Sequence, residues 1–154
     1  MEERRDRDPK SKTEPGQARK EEAALWMDYA VGDRDLVHHL YYGDYYPKRL
    51  EIICYHCSQA VEKAVKAVLV YLGSQGGLPK KHDIGFLLQQ IRAILLREKG
   101  MEITEEMMDW ADELSTYSVE IRYPNERMID EIRTKRAVEK MDFFMDWADE
   151  ALSK

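Results

Sequence analysis

Hydrophobic and polar positions along the chain recur three or four residues apart, the repeat of an α-helix with one covered face. Trp26, Ala30, Asp33, Val37 and Leu40 share one such face, which predicts a first helix from about Glu21 to Tyr41. Gly43 and Pro47 punctuate a turn carrying Tyr41, Tyr42, Tyr45 and Tyr46. A second helix is expected from near Pro47, where proline is tolerated in a first turn, to Leu72, with Gly73 as its stop. Asp83 can cap a third, whose Ile84, Leu87, Leu88, Ile91 and Leu95 face inward until Gly100 ends it. Thr104 can cap a fourth, with Glu105 and Glu106 at the positive end of its dipole and Met107, Ala111, Leu114, Tyr117 and Ile121 as its stripe. Pro124 stops that helix. Thr134 is the expected cap of a fifth, striped by Ala137, Met141, Phe144, Ala148 and Leu152. No stretch alternates with period two for long enough to make a strand. The fold class expected is all-α: an antiparallel up-and-down bundle of four long helices plus a shorter one.

The segment Cys54 to Gly73 carries the most information. His56, Gln59, Lys63 and Lys66 climb one side of a helix that is otherwise Ala60, Val61, Ala64, Ala67 and Val68. A helix this apolar is enclosed by others, so its polar line faces either solvent or a groove. Asp33 falls on the apolar stripe of the first helix, where a carboxylate is costly unless paired. Lys63 is its expected buried partner. The pair reads either as a tie between two helices or as a site. Glu62 and Lys66, one turn apart, are expected to pair on a solvated face.

Composition narrows the picture. The chain has 154 residues, suited to one domain, and 35% are charged, above the usual ~25%. Met1 to about Lys20 is nearly all charged, so residues 1–21 are expected to be a disordered tail and residues 22–154 the bundle. The net charge of −6 argues against a generally basic nucleic-acid binder. There is no long apolar run or apolar leader, and a cytoplasmic protein without a membrane span is expected.

The two cysteines, Cys54 and Cys57, supply only half of a tetrahedral zinc site. They are expected to be small thiols packed in a helix interface, and no metal or cofactor is expected. Adjacent His82 and Asp83 seldom face each other, which leaves His82 a weak candidate for acid–base work. Arg122-Tyr123-Pro124 ends the fourth helix with a guanidinium beside an aromatic ring. The pair can clamp a phosphate and stack on a base, or the arginine can cap carbonyls. Phosphate-loop, serine-hydrolase and metalloprotease motifs are absent from the sequence.

Taken in order, Tyr55-His56, Gln59-Ala60-x-Glu62-Lys63-x-x-Lys66-Ala67, Leu72-Gly73, Lys81-His82-Asp83 and Arg122-Tyr123-Pro124 resemble a HEPN (higher eukaryote and prokaryote nucleotide-binding) domain. Trp26, Ala30 and Asp33 resemble its entry helix, and the likeness spans about residues 22 to 152. The resemblance implies an all-α bundle, commonly dimeric, often paired with a minimal nucleotidyltransferase in toxin–antitoxin or defence systems. Active members are metal-independent ribonucleases marked by an arginine followed a few residues later by a histidine. Arg122 stands at the arginine position, but no histidine follows His82, and Tyr123 replaces the asparagine often found next to the arginine. The resemblance thus points to binding of a nucleotide, RNA or a partner nucleotidyltransferase. Asp33, Gln59, Lys63, Arg122 and Tyr123 are the binding residues. A divergent ribonuclease using Arg122, His56 or His82 is the alternative, and a helical interaction module the third reading. A homodimer is expected from the tyrosine-rich turn and from Trp26, Trp110 and Trp147, which are more aromatic surface than a small bundle easily hides.

Overall fold

The structure, a computed structural model, describes residues 15–44, 49–73, 83–120 and 129–153. Among them the regular elements are five α-helices and no strand: α1 (Pro15–Tyr42), α2 (Leu50–Leu72), α3 (Ile84–Lys99), α4 (Glu105–Glu120) and α5 (Glu131–Ser153). Their described lengths are 28, 23, 16, 16 and 23 residues, and α4 reaches the edge of the described residues at Glu120.

The helix ends follow local chemistry. Gly73 and Gly100 close α2 and α3 in the left-handed conformation, which costs glycine little, and their N–H groups bond back to the last turns. The Asp83 carboxylate accepts from the Phe86 N–H, and the Thr104 hydroxyl accepts from Met107 N–H, as their positions predict. Two boundaries differ from expectation. Helix α1 starts at Pro15 rather than near Glu21, so residues 15–20 are helical rather than part of a tail. Proline is pre-shaped for a first turn, and Gln17, Ala18, Arg19 and Lys20 are good helix formers without needing burial. The rest of the expected tail lies outside the described residues. The cap of α5 is Asp130, which accepts from Arg133 N–H at 2.8 Å. Thr134 instead sits buried in the first turn and donates to the Asp130 carbonyl.

Helix α2 is the hub, packed against α1, α3, α4 and α5. Its Ile53, Val61, Val65, Val68 and Leu69 are fully buried, as are Leu87, Leu88, Ile91 and Leu95 of α3. Each such side chain contributes roughly 1.5–3 kcal/mol relative to exposure. Successive contacts show that α1 and α2 run in opposite directions: Arg19 lies beside Gly73, Trp26 beside Lys66, and Asp33 beside Lys63 and His56. The same holds for α4 and α5, through Trp110 with Phe143, Glu113 with Lys140 and Tyr117 with Arg133. The tryptophans pack internally: Trp147 is buried, Trp26 and Trp110 half-buried. Tryptophan surface therefore gives no support to a dimer. Among the described residues no helix is long and apolar enough to cross a membrane.

Candidate functional site

The polar line of α2 meets α1. Because the two helices are opposed, Asp33 falls between His56 and Lys63, which stand two turns apart on one face of α2. The Lys63 ammonium donates to Asp33 Oδ2 at 2.6 Å, as its position on the line predicts. His56 Nδ1 lies 2.9 Å from Asp33 Oδ1, a contact the sequence reading missed. Its signal was available: His56 and Lys63 are seven residues apart, and a carboxylate has two oxygens to share.

Exposure is graded across the cluster. The Asp33 side chain is 12% exposed, His56 26% and Lys63 29%. Burial pushes the Asp33 carboxyl towards neutrality, but the hydrogen bonds from His56 and Lys63, reinforced by the charges of both, outweigh it and hold the group below the usual carboxylate range. An ionised Asp33 accepts hydrogen bonds only, so His56 donates to it through Nδ1, and Nε2 is the ring nitrogen left for another partner. The Tyr55 ring stands edge-on to the imidazole at 5.1 Å. Gln59 lies on the line between His56 and Lys63, half-buried, with no hydrogen-bond partner among the described residues.

One turn further on, the line changes character. Lys66 donates to Glu62 at 2.7 Å, and both residues are buried, at 8% and 4% exposure. The Trp26 ring covers the ammonium, its centroid 5.3 Å away. The expected solvated-face pair is therefore an enclosed one, because Trp26 of α1 closes over it. The opposed register held the clue, since Trp26 precedes Asp33 by as many residues as separate two turns.

A second polar group gathers where α2 begins. Cys54 donates to the Thr134 hydroxyl at 3.6 Å, and Tyr117 lies close enough for the two ionisations to oppose each other. Burial pushes the Cys54 thiol up to about 11 and Cys57 well above its usual value, so both remain thiols at neutral pH. Glu113 accepts from Lys140 at 2.7 Å and from the Tyr117 hydroxyl at 3.3 Å. The last described turns of α4 and the first turns of α5 thus stand at the same end of the molecule as His56. Arg122, Tyr123 and His82 lie outside the described residues.

The cluster defines the class of the protein: an all-α domain with a half-exposed carboxylate–histidine–lysine group between its first two helices. The profile of the HEPN domain family matches residues 23–151, most of the chain. The protein belongs to that family, as the ordered motifs of its sequence suggest. Searches of the curated proteins and of the solved structures returned no match.

Proposed function

We propose that this HEPN protein binds a nucleotide or an RNA phosphate at the solvent edge of the Asp33–His56–Lys63 cluster. The observation that supports this is the graded exposure: the carboxylate is enclosed while His56 and Lys63 keep an edge open to solvent. Lys63 spends one of its three donors on Asp33 and has two for phosphate. Gln59 offers both a donor and an acceptor to a base or ribose. Arg122 supplies a second cation and Tyr123 a stacking ring in this reading. The protein works without metal or cofactor, in the cytoplasm, as a homodimer. Its partner is a minimal nucleotidyltransferase in a toxin–antitoxin or defence pair. Its helices complete an antiparallel up-and-down bundle.

A ligand of the folded state raises the melting temperature, so a thermal-shift panel of mono-, di- and trinucleotides tests the reading. A shift for wild type that Lys63→Ala and Arg122→Ala abolish is expected. No shift with any nucleotide defeats it. Sedimentation showing only monomer at high concentration removes the homodimer, and co-purification with an adjacent-gene nucleotidyltransferase tests the partner.

One observation favours a second reading, ribonuclease activity from a divergent site. Asp33 orients His56 through Nδ1, leaving Nε2 to move a proton, the arrangement by which a carboxylate makes an imidazole a general base. Arginine alone does not shuttle protons at neutral pH. Cleavage of an RNA substrate by wild type, lost in His56→Ala and Arg122→Ala but kept in His82→Ala, is the expected pattern. An inert wild-type protein rules this reading out.

A further inference from the structure

Helix α1 has two apolar faces, and only one is used. Ala23, Met27, Ala30 and Val37 are buried against the body of the domain. Leu25, Tyr29 and Leu36 point away, 62%, 66% and 38% exposed, at the i, i+4, i+11 spacing of a single helical stripe. Gly32 completes that stripe at i+7. A Cβ there would meet nothing within 4 Å, so no contact among the described residues calls for a glycine. Mid-helix glycine costs about 1 kcal/mol relative to alanine. Its use here is explained if another backbone approaches from outside, as small residues allow at tight helix crossings.

Charge selects the occupant. Glu21, Asp28 and Asp35 recur every seven residues along one edge of the stripe, all exposed. The Arg34 guanidinium, 3.3 Å from Asp35, offsets one of the three, and the other edge carries the exposed Glu22, so both edges stay net acidic. A second copy of α1 laid antiparallel would set the acidic row against itself, and a parallel copy would set it against Glu22. Residues 1–14 contain only Met1 and Pro9 as apolar residues, too few to fill the stripe.

We infer that the outer face of α1 is a docking seam for an amphipathic helix of another protein. That helix presents an apolar stripe flanked by lysine or arginine. Its close approach is centred on Gly32, with Leu25, Tyr29 and Leu36 as anchors and the acidic row setting its orientation. The seam stands apart from nucleotide recognition at His56 and Lys63, and either can fail without the other.

Fluorescence anisotropy of the full chain with a labelled synthetic amphipathic peptide tests this. The probe carries leucines at helical spacing and lysine flanks. The comparisons are its glutamate-flanked twin and a scrambled peptide of the same composition. Saturable binding of the lysine-flanked peptide is expected, at least about tenfold tighter than either comparison. The triple change Glu21→Lys, Asp28→Lys, Asp35→Lys should invert the preference between the flanked peptides. Gly32→Leu should weaken binding by at least about tenfold while leaving the helical circular dichroism and melting temperature unreduced. Equal binding of the scrambled peptide, or no binding of the lysine-flanked one, overturns the inference. So does a wild-type dimer that Gly32→Leu converts to monomer, since the seam would then belong to a second copy.

Discussion

Two ion pairs sit one turn apart on α2 and do different things. Lys63 and Asp33 join two helices with one end of the cluster open to water; Lys66 and Glu62 pair within α2 under the Trp26 ring. Residue types alone do not separate them, since each is a lysine with a carboxylate on the same polar line. Enclosure separates them. A pair shut away from water holds the fold and meets no ligand, whereas a pair with a solvent edge can exchange a hydrogen bond for one to phosphate. The same helix thus carries a structural pair and a candidate site within ten residues.

Breaking the enclosed pair should have the largest effect. Lys66→Met removes the ammonium that the Glu62 carboxylate faces, and about 3 kcal/mol of stability should be lost in urea unfolding. If the variant is as stable as wild type, the enclosure of this pair has no energetic consequence. Asp33→Asn should cost less, about 1–2 kcal/mol, since Lys63 and His56 can turn to water. Its larger consequence should be on the thermal shift with nucleotide, as His56 loses the partner that fixes its tautomer.

Acid should weaken the open pair. Asp33 and Glu113 are held below their ordinary values of 3.8 and 4.5. The stability they contribute is present above those values and is lost as pH falls through the lower pKa of the folded state. Urea midpoints measured downward from pH 5 should therefore fall, and Asp33→Asn should make that fall shallower; an unchanged slope would show that Asp33 is not stabilised as an anion. The smallest expected effect on stability is that of Gln59→Ala, within about 0.5 kcal/mol. A loss of nucleotide affinity in that variant, without a change in melting temperature, would place Gln59 among the ligand contacts.

The pattern of this chain made much of the fold readable. Stripes such as Ile84–Leu88–Ile91–Leu95 and stops such as Gly73 and Gly100 lead directly to helices, because local geometry allows little else. The Asp33–Lys63 pair was readable for a similar reason: a carboxylate on an apolar stripe demands a cation, and α2 offered one. What the sequence hid depended on register between elements. The burial of Glu62 and Lys66 needs Trp26 opposite them, and the His56 contact needs Asp33 midway between two turns. The start of α1 was hidden differently, since charged residues of high helix propensity extend a helix without leaving an apolar stripe. The cap of α5 went to Asp130 over Thr134, four residues apart, because burial of Thr134 against Cys54 uses its hydroxyl elsewhere.

The two thiols have a consequence for following the protein in motion. Cys54 and Cys57 are the only cysteines of the chain, both fully buried and both held protonated. A thiol reagent can reach them only when α2 parts from its neighbours, so the rate of labelling counts openings of the hub rather than fluctuations of the surface. A cysteine introduced on the outside, on the exposed edge of α1 for instance, would react far sooner than either. One chain then carries a fast handle for a dye and a slow clock for its own opening.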